Sequence, residues 1–255
     1  MIKKGLLLIN IFALITIIHI QANQNVLAEA DNSNDSILIN SFERDLNGDG
    51  FQEYIRLNGS LMSNESNFFQ DVWVTIQDAF KDEWSISLQH GYHPELIFKD
   101  LTGNKNPDIF YKVAKDEDLN SYHYQFYHFV NNKIKALPLP EHDHIEATFS
   151  NDFMLEIKFS PSEKFKIDVS PHKDMYINDQ IYTSNGKKKG NEQPIIAQNV
   201  NISPILISNS KGYGLKTTQL IYGKDKDDIV GELSTIWHYK ENKWVNIKTE
   251  VQSKI

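Results

Sequence analysis

Apolar and polar residues alternate along much of the chain. Asp71-Val72-Trp73-Val74-Thr75-Ile76-Gln77 and Trp84-Ser85-Ile86-Ser87-Leu88 have a period of two, the signature of half-buried strands, and Asp78 to Glu83 connects them as a hairpin. Glu53 to Leu57, Glu95 to Lys99, Ile109 to Val113, Tyr122 to Phe129, Phe153 to Phe159 and Phe165 to Val169 also read as strands. Ile37-Leu38-Ile39 is a short apolar strand. Met175-Tyr176-Ile177 and Gln180-Ile181-Tyr182 are expected to pair, and Ile195 to Ile207 is strand-like around Pro204. Gly59 to Asn67 reads as a turn, and Ser184 to Glu192 as an exposed loop. No stretch sustains the 3.6-residue period of a long amphipathic helix. The expected fold class is all-β, mainly antiparallel.

One polar stretch interrupts this pattern with a dense set of oxygen donors: Asp45-Leu46-Asn47-Gly48-Asp49-Gly50-Phe51-Gln52-Glu53. Ca²⁺ takes six to eight oxygen ligands, which a tight acidic loop can supply. Asp45, Asn47 and Asp49 are expected to turn inward, and Gly50 to allow a positive φ. Phe51 is expected to offer its carbonyl while its ring enters the core, and Glu53 to close the shell as a strand begins. An EF-hand is excluded: its position 12 requires a bidentate Glu and here is Arg56, and a strand rather than a helix follows. A solvated acidic turn that binds nothing is the competing reading.

The pattern D-x-N-x-D-G-x-x-E leading into a strand resembles the calcium loops of FG-GAP and VCBS-type repeats, found in integrin-like β-propellers and many secreted bacterial proteins. The resemblance covers the loop and its following strand. It implies a structural Ca²⁺ held by Asp45, Asn47, Asp49, Phe51 and Glu53, in a fold of partial or irregular β-propeller-like repeats.

A second loop, a weaker candidate for Ca²⁺ with only two carboxylates, follows about 55 residues later: Asp100, Thr102, Asn104 and Asp108 stand where Asp45, Asn47, Asp49 and Glu53 stood, and Lys105 replaces the turn glycine. Tyr127-His128-Phe129 and Trp237-His238-Tyr239 each precede a polar turn containing Asn-Lys. In the last copy, Ser208 to Gly214 keeps the turn and has no carboxylate. These correspondences suggest repeat-like units at about 37–90, 91–140 and 195–251, with an irregular middle at 141–194 carrying an inserted β-hairpin region. Coincidence among short aromatic hairpins is the alternative.

Composition refines the setting. The 255 residues are 40% hydrophobic and 24% charged, as in a globular protein, with a formal charge of −8 that disfavours nucleic acid as a partner. Lys3 and Lys4, the apolar run from Gly5 to Ile20 and Ala28-Glu29-Ala30 read as a signal peptide over residues 1–30, leaving one β-rich domain at 31–255. No later segment is apolar enough to span a bilayer. The chain contains no cysteine, so neither disulfides nor cysteine nucleophiles are available.

The expectation is therefore a secreted, calcium-binding, non-enzymatic β-repeat protein, with an extracellular or cell-envelope partner and a wall- or spore-surface location open. The alternative is an extracellular metal-dependent hydrolase. It would use zinc at His142 and His144, with His90, His93 or His172 as a third ligand, or a carboxylate pair that meets only in the fold.

Overall fold

The computed structural model describes residues 36–141, 145–159 and 163–255. The expected signal peptide, and His142 and His144, lie outside them. The described fold is all-β and mostly antiparallel.

Three four-stranded antiparallel meanders make up most of it. The first consists of β1 (Ile37–Arg44), β2 (Glu53–Leu61), β3 (Phe68–Gln77) and β4 (Glu83–Leu88). The second consists of β5 (Gly91–Lys99), β6 (Asp108–Ala114), β7 (Tyr122–Val130) and β8 (Lys133–Leu137). These two are joined into one eight-stranded sheet by a short ladder, Phe68 with Tyr92 and Phe69 with Gly91. Gly91 is required there: its φ is +151°, and a Cβ would lie 2.3 Å from the Ala114 carbonyl oxygen.

The middle of the chain forms a small sheet of β9 (Glu146–Ser150), β10 (Met154–Lys158) and β11 (Lys164–Asp168). A 3₁₀ turn (Ser170–His172) and a short helix, α1 (Lys173–Asn178), follow. The expected pairing of Met175–Ile177 with Gln180–Tyr182 is thus corrected. Pro171 presets a helical φ at the start of the turn, and the chain reverses at Gln180, whose φ is +59°. The amides of Ile181 and Tyr182 then both return to the Tyr176 carbonyl, at 2.9 and 3.2 Å. A three-residue apolar run does not reveal by its period which structure it adopts.

The third meander consists of β13 (Asn201–Ser208), β14 (Gly212–Tyr222), β15 (Ile229–Lys240) and β16 (Lys243–Ser253). The two-residue β12 (Ile195–Ile196) pairs with the end of β14.

The cores follow from the alternation. On β6, Ile109, Tyr111 and Val113 belong to one core, shared with Ile55 and Leu57 of β2 and Val72, Val74 and Ile76 of β3. Phe110 of β6 belongs to another, shared with Phe126, Ile202, Leu215 and Trp237. The second meander is therefore covered on both faces. Single polar contacts reinforce its contact with the third meander: Ile202 N–H donates to the Tyr124 hydroxyl at 3.1 Å, and Trp244 Nε1 to the Pro138 carbonyl at 2.7 Å. A third core joins the middle sheet and Tyr176 to Ile221, Val230 and Leu233 of the third meander.

This layering predicts unequal sensitivity within one meander. Phe110→Ala should cost about 3–5 kcal/mol in urea unfolding. Lys133→Ala, exposed on β8, should stay within about 0.5 kcal/mol. Equal effects would contradict the two-sided burial of β6.

Candidate functional site

The connection between β1 and β2 is the acidic loop. Asp45 is its organising residue: Oδ1 accepts from Gly48 N–H at 2.6 Å and Oδ2 from Gly50 N–H at 2.9 Å. Both glycines have positive φ, +79° and +90°, which lets their amides face back toward one carboxylate. Asp49 Oδ1 accepts from Phe51 N–H, and Asn47 Oδ1 from Asp49 N–H, each at 2.8 Å. Asn47 Nδ2 donates to Asp49 Oδ2 at 2.9 Å.

Glu53 closes the loop from below. It is 1% exposed, and its Oε2 accepts from Leu46 N–H at 2.6 Å. Its other oxygen, Oε1, is buried and has no hydrogen-bond partner. An unsatisfied buried carboxylate oxygen is costly. Burial raises the Glu53 pKa; the Leu46 N–H and, more weakly, the residue's own backbone N–H work against this, and the charges of Asp49 and Asp45 add to the rise. One oxygen from each of Asp45, Asp49 and Glu53 lies within 4.8 Å of the others, the one such convergence of three metal-ligating side chains among the described residues.

The loop thus brings Asp45, Asp49 and Glu53 together, with Asn47 beside them as a hydrogen-bond partner of Asp49. The expectation for the Phe51 ring is corrected. It is 56% exposed, edge-on to Phe80 at 6.0 Å, and Leu46 occupies the core instead. The tight turn directs residue 46 inward.

The second loop connects β5 to β6 with the same scheme. Asp100 Oδ1 accepts from Gly103 and Asn104 N–H, and Oδ2 from Lys105 N–H at 2.9 Å. Lys105 adopts the positive φ, +75°, that Gly50 adopts in the first loop. Leu101 is buried as Leu46 is. The base differs. Asp108 Oδ2 accepts from Leu101 and Thr102 N–H at 2.7 and 2.8 Å, and Oδ1 from the Thr102 hydroxyl at 3.2 Å. Both oxygens are satisfied, and Asp100, Thr102, Asn104 and Asp108 form no three-carboxylate cluster. The loops are neighbours: a Cβ on Gly48 would lie 2.6 Å from Asn106 Oδ1.

A network that the sequence reading did not assemble lies elsewhere. Asp228, in the β14–β15 connection, is bonded by His172 and by Tyr176 of α1. His172 was expected only as a distant zinc ligand; no local spacing links it to Asp228, and the fold alone brings them together.

Residues 143–252 match the family model described as YybI C-terminal domain. Over 207 residues the chain is 23% identical to an uncharacterized protein YybI of Bacillus subtilis (strain 168), covering 78% of each chain. No solved structure matches.

Burial raises the Asp108 pKa from its ordinary 3.8 to about 6, against the lowering effect of the Thr102 and Leu101 amides. Between those values the folded state holds a proton that the unfolded state has released. Asp108 therefore favours folding least above pH 6, and its contribution is lost as pH rises from 3.8 to about 6. Asparagine can accept both amides through its carbonyl and donate to the Thr102 hydroxyl. In chelator, Asp108→Asn should remove this part of the pH dependence and be at least as stable as wild type at neutral pH. A loss above about 1 kcal/mol there would refute the account.

Proposed function

We propose that the β1–β2 loop is a structural Ca²⁺ site in a secreted, non-enzymatic β-repeat protein, a binding or structural module acting outside the cell or at its surface. The observation that carries this reading is the unpartnered, buried Glu53 Oε1, which lies with Asp45 and Asp49 oxygens inside a 4.8 Å cluster. A hard divalent cation satisfies that oxygen and relieves the mutual repulsion of three carboxylates. Asp45, Asp49 and Glu53 would supply the charge. Asn47 would reach the ion by turning its side-chain oxygen from the Asp49 amide, and Phe51 would contribute through its carbonyl. The second loop, already satisfied by its own amides and hydroxyl, needs no ion.

The FG-GAP/VCBS-type, propeller-like reading is proposed on two supports. The two loops share hydrogen bonds at a spacing of about 55 residues. Each opens the second strand of a four-stranded meander, and a third meander repeats the strand order. An extracellular or cell-envelope partner accords with the signal-like leader and the formal charge of −8. Among the described residues no helix is long and apolar enough to cross a membrane.

Calorimetric titration of the full chain with Ca²⁺ tests the site. One ion should bind, and stability should rise by about 2.7 kcal/mol at a hundredfold excess over Kd. Asp49→Ala and Glu53→Gln should each abolish the gain, while Asn104→Ala should leave it intact. Absence of heat and of any rise in melting temperature at millimolar calcium would remove the metal claim.

A further inference from the structure

The Asp228 network lines an open cavity of about 540 Å³ that shares no residue with either loop. Its floor is built with little latitude. The Asp228 side chain is 2% exposed. Its Oδ2 accepts the Tyr176 hydroxyl at 2.6 Å and the Lys224 N–H at 3.0 Å, and its Oδ1 meets His172 Nδ1 at 2.8 Å. Gly223 makes room for this: a Cβ there would lie 2.2 Å from the Tyr176 hydroxyl and 2.0 Å from Asp228 Oδ2.

The bonding fixes the histidine. As a carboxylate Asp228 can only accept, so its Oδ1 takes the bond from His172 when Nδ1 carries the proton. In the neutral ring Nε2 then holds the lone pair; it belongs to a side chain that is 32% exposed and lines the cavity. Fixing a histidine tautomer through a buried carboxylate is the arrangement used to present Nε2 to a ligand.

The remaining lining decides which ligand fits. Asp174, Asp225 and Asp227 are exposed carboxylates on the wall, and Met175 adds an apolar surface. Lys224 is the one lysine among the lining residues; it is tied to Asp179 at 2.6 Å and reaches Asp225 Oδ2 only at 3.9 Å. What the cavity offers is therefore mainly hydrogen-bond acceptors around a body of organic size. Its histidine and carboxylates do not converge as those of the first loop do, since no three of them meet within 4.8 Å. That spacing suits an extended donor group better than a single metal ion.

We propose that this cavity binds an organic cation, an amine or guanidinium, whose N–H groups donate to His172 Nε2 and to the carboxylates of Asp225 and Asp227. The cation is a small molecule or the side chain of an arginine- or lysine-bearing peptide.

Titration of the full chain in chelator, followed by ¹H–¹⁵N correlation of the imidazole nitrogens, tests this. Agmatine and acetyl-Gly-Arg-Gly-amide serve as cation probes and acetate as the control. At least one cation probe should bind saturably at one site and shift His172 Nε2, while acetate should not. Binding of agmatine indicates a free cation, and binding of the peptide alone a peptide-borne one. His172→Ala, and separately the exposed pair Asp225→Asn with Asp227→Asn, should each weaken binding at least about tenfold, with melting temperatures confirming that both variants fold. No saturation by either probe at about 20 mM, undiminished affinity in both variants, or a His172 response to Zn²⁺ alone in a chelator-free arm would overturn the proposal.

Discussion

A buried carboxylate at the base of a loop holds the first half of this molecule in register. Glu53 and Asp108 each stand at the first position of an inner strand, and each receives the amide of a leucine that plugs the core, Leu46 or Leu101. This bond pins the turn to the strand, and the strand to the core beneath it. It also places an ionisable group where water cannot solvate it, so the group must find partners or bear the cost of burial. The two loops meet that demand differently, and the difference separates a self-sufficient turn from a candidate ion site.

The layering makes the demand unavoidable. β6 runs Asp108-Ile109-Phe110-Tyr111-Lys112-Val113-Ala114 with six of its seven residues buried. One face of the strand meets the first meander and the other the third. A strand covered on both sides cannot start in solvent, so its first residue is buried too. β2 is covered mainly on one face: Glu53, Ile55 and Leu57 are buried, while Tyr54 between them is exposed. Glu53 is nevertheless on the inward side of the alternation. Its longer side chain reaches up to the loop and leaves one oxygen unbonded.

Much of this could be read in the chain. The period-two runs located most strands of the first two meanders, though Gly59 to Leu61, read as part of a turn, extends β2 and no such run marked β8, and the Asp, Asn and Gly spacing located both loops. What the period could not show is which strands are covered twice, because that depends on segments far apart: Phe110 meets Leu215 and Trp237. It likewise did not separate Met175-Tyr176-Ile177 from a strand, since three apolar residues carry no period. The Phe51 ring, expected in the core, is exposed. The positive φ values of Gly48 and Gly50 turn the chain so that Leu46 takes that place. The His172–Asp228 contact spans 56 residues and has no local signature.

The second loop acts as an internal control on the first. Both fold into the same turn, with Asp45 and Asp100 gathering the same amides. The second does so with Asn104 where the first has Asp49, with a cationic Lys105 where the first has Gly50, and with a fully bonded Asp108 where the first has Glu53. The turn therefore does not require the third carboxylate, the missing lysine charge or the longer acid. Each of these three features adds negative charge or unsatisfied oxygen to the first loop, and none contributes a bond that the second loop lacks at its base. Under the proposed reading, the energy of binding a cation would offset that repulsion, which the bond from Asn47 Nδ2 to Asp49 Oδ2 offsets only in part.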